Sequence, residues 1–484
     1  MPTGPRNKPK REGNGAALKE RIAPLIPLTI GETIEAARDN GVSVGDVVLA
    51  ECELQTGLDR RQILEKVMSE YAHNLKAVDI GLKDGESILL GTVASQLNAI
   101  EGPKCFDDVF LDDALLFTLA AQVGNHCIGL RPCAGTGDSC PYAGLLKAIV
   151  KAGCDWESTA VVASLILKIG SIFRVGKITT GCNMEGFGAG AAATAAAIVQ
   201  LEGGSPEQME KAMVLAISPT VAVPCTPRVL VPALCTTHVG GAILVGIYAA
   251  RLCMRVNMTV NVPIDVMVAM ASQVHVESAR HVVPTVVDYM EPFFKRKENV
   301  ESLVDEAVKK AEHEKIENTL AKAKEIAKKL SKGTRPIIET LGDAVVGGSS
   351  QAVGSPTNAA RIAHELARGK IRKVTVELYP ELFARRAINI PGVLMGAVFG
   401  ASTSDYAMYN KAVDQVKERG IEVVILEGHE ESLQRITIET DEMTCCVDTL
   451  NRGGGRLVLR DATPSLAEAQ AAAKRLGIVL VPSA

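Results

Sequence analysis

Twenty-two consecutive residues, Val229–Ala250, carry no formal charge, a length that either spans a bilayer or demands a large apolar surround. The run holds Pro232, Cys235, Thr236, Thr237, His238 and the Gly240-Gly241 pair, and no aromatic belt flanks it. These features favour a buried central helix, broken near its start, over a membrane span. A chain of 484 residues can supply the surround, since at roughly 150 residues per domain it divides into two or three domains. Hydrophobic residues make up 47% and charged residues 22%, which rules out a mostly disordered chain. Aromatics are only 4% while glycines number 43, a balance that favours helices packed closely through small side chains over an aromatic-rich sandwich. The net charge of −4 offers no global positive field for nucleic acid.

Twelve cysteines are too sparse for a small secreted disulfide scaffold. The basic residues Arg6, Lys8, Lys10 and Arg11 have no apolar stretch behind them, unlike a signal peptide. Residues 1–16 are therefore read as a disordered tail and the location as cytoplasmic, where thiols stay reduced and can bind metal. The fold class expected is multidomain, α followed by α+β. Residues 17–292 read as an all-α, Ala/Gly-rich domain with apolar helices over Ala114–Gly124, Tyr142–Ala152, Ser158–Ile169, Gly190–Leu201 and Glu207–Ile217. Ser205 and Pro206 mark the start of the last of these. Residues 293–333 turn to Lys, Glu and Ala and read as a charged helical linker. Residues 334–484 alternate strand patterns such as KVTVELY, IEVVIL and QRITI with helices over Thr357–Ala367, Tyr406–Arg419 and Ser465–Leu476, an α/β grammar.

The cysteines fall unevenly. Cys133, Cys140, Cys182, Cys225 and Cys235 sit at glycine- or proline-marked breaks, where a thiolate can reach a metal and find backbone N–H donors. Cys52, Cys154 and Cys253 lie within helical patterns and read as inert core thiols. Cys445 and Cys446 are adjacent in a strand-like run and so point to opposite faces. His238 follows Cys235 by three, a spacing compatible with zinc, although a histidine beside an apolar run is more often a hydrogen-bonded core residue. Gly186, Gly188 and Gly190 lack the spacing of a phosphate loop and read as close helix packing.

The block GCNMEGFGAGAAATAAAIVQLEGGSPEQ followed by PCTPRVLVPALC, Gly181–Cys235, resembles the core of the iron–sulfur-dependent L-serine dehydratase α domain, where GCQxE, LxGGxPEQ and CDPxxGxxxxPC recur in that order. Upstream, AGTGDSC at Ala134–Cys140 is similar to that family's APTxGxC, and Glu32–Gly57 resembles its N-terminal segment. Downstream, Val345–Arg361 resembles the β domain's GPSSSHTxGPxR and Asn451–Gly455 its SxGGG turn, in the order α then β. The resemblance implies a 4Fe-4S cluster on Cys182, Cys225 and Cys235, with one iron left open to act as a Lewis acid on the substrate's β-hydroxyl. It implies Glu185 at the glutamate of GCQxE, with Asn183 in place of the glutamine. It also implies that Thr136, Asn183, Cys140, Ser349, Ser350 and Gln351 face substrate, Cys140 without ligating the cluster. Ser349 and Ser350 follow Gly347-Gly348, a turn suited to presenting hydroxyl and N–H donors to a carboxylate. Two departures stand out: Gln351-Ala352 replaces the family's His-Thr, and Thr237-His238-Val239 replaces its basic-Asn pair after the third cysteine. Glutamine cannot take up a proton at neutral pH, so the general base is expected to be Glu185 or, failing that, His238. A second role for Glu185, orienting the Cys182 loop by a hydrogen bond, stays open.

The function expected is a lyase that eliminates a β-leaving group from a small amino or hydroxy acid, with L-serine to pyruvate and ammonia first. L-cysteine desulfidation or elimination from another β-substituted acid is the alternative, and a non-catalytic cluster sensor is the reading from another class. The expected partners are the small-molecule substrate and a second copy of the chain in a homodimer, with neither nucleic acid nor membrane.

Overall fold

The computed structural model describes residues 15–83, 85–87, 89–128, 130, 139–175, 187–223, 231, 233–294, 296–332, 343–344, 355–402, 405–430, 433–450, 456–457 and 465–479. These fall into two compact units, 1–329 and 330–484. Within the described residues, the first unit is built of helices: α1 (Gly15–Ile22), α2 (Ile30–Asn40), α3 (Val44–Thr56), α4 (Arg60–Lys83), α5 (Val93–Asn98), α6 (Val109–Ile128), α7 (Ser139–Lys151), α8 (Trp156–Val175), α9 (Ala189–Leu201), α10 (Pro206–Ile217), α11 (Leu234–Arg255), α12 (Ile264–His281), α13 (Val283–Met290), α14 (Glu298–Glu301) and α15 (Glu306–Lys332). The helical unit followed by an α/β unit is the fold class expected from the sequence. Gly15 and Ala16, read from sequence as the end of the tail, open α1; the rest of the proposed tail lies outside the described residues.

Local signals start and stop these helices. Ser205 caps α10 through the Gln208 N–H while the Gln208 side chain accepts from the Ser205 N–H, with Pro206 at the first helical position. Thr29 and Glu32 form the same reciprocal box at α2, which ends on Gly41 in the left-handed conformation. Asp265, in the first turn of α12, ties the start of α2 down. It accepts from Thr29 Oγ1 at 2.6 Å and from the Gly31 N–H at 2.9 Å. Asp265→Ala is therefore expected to lower stability by about 1.5–3 kcal/mol, the worth of hydrogen bonds to a charged group, seen as a lower urea midpoint at unchanged m-value.

The core of the unit is made of small side chains. Of α9, every residue from Ala189 to Val199 is buried, and α11 lies against it, with Ala242 beside Gly190 and Gly246 beside Ala191 and Thr194. A methyl group on Gly246 would stand 2.5 Å from Thr194 Cβ, so the two helices meet almost backbone to backbone. α8 and α11 are, among the described residues, the helices long and apolar enough to cross a membrane, and 61% and 56% of their apolar windows are buried inside the unit. The uncharged run is thus largely taken up by helix packing, as its small and polar residues suggest. Deeper still, Glu51 accepts from the Leu28 N–H at 2.8 Å and pairs with Lys168 at 2.8 Å, so both charges of this nearly dry pair are satisfied.

The second unit contains β1 (Asp343–Ala344), α16 (Ser355–Leu366), β2 (Ile371–Leu378), α17 (Pro380–Ala384), α18 (Arg386–Phe399), α19 (Tyr406–Glu418), β3 (Glu422–Glu427), β4 (Leu433–Thr440), β5 (Thr444–Leu450), β6 (Arg456–Leu457), α20 (Leu466–Arg475) and β7 (Ile478–Val479). Five strands form one mixed sheet in the order β3-β2-β4-β5-β6, with β2 parallel to β3 and antiparallel to β4; β1 and β7 pair separately. Val374, Val376, Leu378, Ile436, Ile438, Cys445 and Val447 fill one face of the sheet, within a core shared with Ile362 and Ala363 of α16 and Val393, Leu394 and Ala397 of α18. Cys445 points into this core, where its thiol donates to the Ala363 carbonyl, and burial pushes its pKa up to about 12. Cys446 points to the other face, beside Thr437 and Asp448. The two thiols cannot share a metal.

Candidate functional site

Three helix beginnings come together in the first unit. Gly190, in the first turn of α9, fits between Pro141 of α7 and Ala242 of α11. A methyl group there would stand 3.1 Å from Pro141 Cγ and 3.2 Å from Ala242 Cβ. Gly241 meets the Phe187 ring just ahead of α9, where a methyl would stand 3.3 Å away. His238 packs edge-to-face on the same ring, centroids 5.3 Å apart at 71°. The glycines around position 190 thus serve close packing, and α7 and α9 begin against the first turns of α11.

Cys235 and His238 are one helical turn apart on the buried face of α11, 1% and 4% exposed. Cys235 is the second residue of its helix, where unsatisfied backbone N–H groups and the positive end of the macrodipole favour a thiolate. Just before it, Ala233 adopts a positive φ of 67°, a strained backbone for a residue with a Cβ, and its N–H donates to the Leu89 carbonyl at 2.7 Å. Cys140 occupies the same second position in α7, fully buried, with its sulfur 2.8 Å from the Gln122 carboxamide of α6. Gln122 in turn reaches His126, one turn along α6, whose Nδ1 bonds the Ser87 hydroxyl. Ser87, Gln122 and His126 were not singled out in the sequence. The signal for two of them is a polar i, i+4 pair inside an otherwise apolar helix, LLFTLAAQVGNHC.

Of the site residues expected from sequence, Cys140, Cys235 and His238 are described, and the contacts of Pro141, Gly190, Phe187 and Ala242 bring their helix starts together. Thr136, Cys182, Asn183, Glu185, Cys225, Ser349, Ser350 and Gln351 lie outside the described residues. In sequence, Thr136 and Glu185 precede these same helix starts, Thr136 by three residues from Ser139 and Glu185 by four from Ala189. Among the described residues no group of three or more His, Cys, Asp or Glu is placed to hold a metal, and of the three proposed ligands only Cys235 is described. What that one position offers, a buried sulfur at the positive end of a long helix, suits a thiolate donor. Three other described thiols are poor donors: burial pushes the pKa of the half-buried Cys52 and Cys154 and of the buried Cys253 up.

No curated protein matches the chain. Residues 173–285 match the family model described as the serine dehydratase alpha chain. That stretch holds Cys182, Asn183, Glu185, Cys225, Cys235 and His238, and it runs from the end of α8 through α9, α10, α11 and α12. Over this segment, which contains the whole Cys182–Cys235 block, the chain is similar to the serine dehydratase alpha chain.

Proposed function

We propose that the protein is an iron–sulfur-dependent lyase that eliminates a β-leaving group from a small polar acid, with L-serine to pyruvate and ammonia as its reaction. The observation that carries this reading is that one family segment contains all three proposed cluster ligands and both candidate bases. Cys182, Cys225 and Cys235 would hold a 4Fe-4S cluster, which when bound supplies a Lewis-acid iron that makes hydroxide a tolerable leaving group. The chain's own residues supply the rest. Glu185 takes the α-proton, the role its place in the GCNME motif suggests. The first turns of α7, α9 and α11 present N–H donors and positive helix ends suited to an anionic acid. Thr136 is suited to offer a hydroxyl to the substrate, and the Ser349, Ser350 and Gln351 stretch is suited by its own hydroxyl, amide and N–H groups to a carboxylate. Phe187 and the alanines of α9 exclude water behind them. We also read the protein as a cytoplasmic homodimer.

The replacement of the family's His-Thr by Gln351-Ala352 favours a second substrate, L-cysteine, because thiolate leaves more readily than hydroxide and needs less proton assistance. The test is anaerobic reconstitution followed by a keto-acid assay with L-serine, L-threonine, L-cysteine and other β-substituted acids. The expected product is a brown protein with about four irons per chain that releases pyruvate from L-serine, and Cys182→Ser, Cys225→Ser and Cys235→Ser should each bleach it. Stoichiometric zinc without iron sinks the cluster. Iron with no turnover of any acid points to a sensor, and turnover of L-cysteine alone corrects the substrate.

A further inference from the structure

A polar chain runs from buried Ser87 through the exposed His126 to buried Gln122 and Cys140, and its donors and acceptors fit one order. Ser87 is 2% exposed, and its Oγ accepts the backbone N–H groups of Leu89 and Leu90, each at 3.1 Å. A hydroxyl has two acceptor sites and one donor, so with both sites filled the Ser87 O–H is left to donate to His126 Nδ1. His126 is an exposed residue, yet desolvation lowers its pKa, which favours the neutral imidazole with a single N–H. With Nδ1 accepting, that hydrogen sits on Nε2, 3.3 Å from the Gln122 carboxamide.

The carboxamide has two ends, nearly identical in shape and opposite in chemistry. The structure sets its nitrogen toward His126 Nε2 and its oxygen 2.8 Å from Cys140 Sγ. That orientation places an N–H donor against an N–H donor. It is consistent only if His126 donates through Nδ1, which would put a third donor on Ser87 Oγ. A half-turn of the amide removes the conflict without moving an atom's position appreciably. Gln122 Oε1 then accepts from His126 Nε2–H, and the carboxamide NH₂ faces the sulfur. Gln122 is 3% exposed and Cys140 is fully buried, so no solvent competes for either end.

We propose that Ser87 and His126 are positioning residues that hold the Gln122 carboxamide with its NH₂ toward Cys140, and so present that sulfur to the site as a thiolate. Two independent features favour the anion: an N–H donor on the sulfur, and the position of Cys140 as the second residue of α7. The relay is also joined to the start of α11. Leu89, whose N–H caps Ser87, accepts from the Ala233 N–H two residues before Cys235. One short segment thereby orders the donor set of Cys140 and the backbone ahead of Cys235. This inference rests on the reading that the starts of α7, α9 and α11 form the site.

The test is the S–H stretching band of Cys140, isolated as the infrared difference between the full-length chain and its Cys140→Ser variant at neutral pH, without substrate. In the wild-type background the subtraction should show no S–H band, because the sulfur carries no hydrogen. In a Ser87→Ala or His126→Phe background, with Gln122 intact, the same subtraction should reveal one S–H band, and Ser87→Thr should abolish it again. His126→Phe leaves the caps on Leu89 and Leu90 in place, so it separates the relay from any distortion of that segment. An S–H band from Cys140 in the wild-type background overturns the proposal, and so does a subtraction that stays empty in both variants. The readout involves no turnover. An absence of lyase activity therefore leaves the relay standing, and an active lyase with a protonated Cys140 removes the relay alone.

Discussion

Gly124→Ala is expected to leave the helical unit unable to fold. The added Cβ would stand 2.0 Å from the Ala77 carbonyl oxygen and 2.6 Å from its carbon. Across the same crossing, a methyl on Gly81 would stand 2.0 Å from the Ala120 carbonyl oxygen. α4 and α6 therefore touch backbone to backbone at two reciprocal points, and neither partner is a side chain that can rotate aside. Overpacking in a core with flexible neighbours costs about 1–3 kcal/mol. Here whole helices must separate, and α6 is held on its far side by α7, where a methyl on Gly144 would stand 2.4 Å from the Thr118 backbone nitrogen. A cost above about 5 kcal/mol consumes the stability of an ordinary domain. Far-UV helicity and urea unfolding check it: loss of the cooperative transition is expected for Gly124→Ala. Gly15→Ala, with nothing within 4 Å of the added carbon, should be neutral or stabilising. A Gly124→Ala protein with a normal midpoint would mean that α4 and α6 do not cross at these residues.

This close crossing shows what kind of information the sequence held. A low aromatic content with abundant glycine pointed to helices packed through small side chains, and the glycines of α4, α6, α7, α9 and α11 are where that packing occurs. Helix starts written in hydrogen-bonding chemistry were legible to the residue, as at Ser205 and Pro206. α18 was not among the helices read from sequence, and it contains Pro391 and Gly392, residue types that ordinarily end a helix. Pro391 is the sixth residue of α18, where it forfeits one backbone hydrogen bond. The helix continues because Ile390, Val393, Leu394 and Ala397 are buried in the unit's core, and tertiary packing outweighs the local penalty. For the candidate site, the glycine- and proline-marked breaks pointed to Cys140 and Cys235, and each lies in the first turn of a helix. Spacing could not reveal Ser87, which lies 39 residues from His126 and meets it only through the fold.

Glu185→Gln is expected to lower kcat by about a hundredfold or more while iron content holds, the loss that follows removal of a general base. The substitution keeps the shape of the side chain and its capacity to accept a hydrogen bond, but not its capacity to take a proton at neutral pH. A Glu185 that only orients the Cys182 loop should therefore survive the change to glutamine with most of its activity, which separates the two roles. The competing base is close at hand in the chain. His238 packs on the ring of Phe187, which follows Glu185 by two residues in sequence. Their consequences differ. His238 is 4% exposed and its ring is clamped edge-on by Phe187, so His238→Gln should disturb the packing of α11 on α9 and lower the thermal midpoint as well as the rate. Glu185→Gln should change the rate alone. The paired measurement is kcat against iron per chain for both variants, with each melting curve beside it. A Glu185→Gln enzyme that keeps its kcat makes Glu185 a structural residue and passes the base to His238. If instead both variants are inactive toward L-serine and active toward L-cysteine, proton abstraction is not what limits the thiol substrate, and the glutamine at 351 is the mark of an enzyme whose leaving group needs less help.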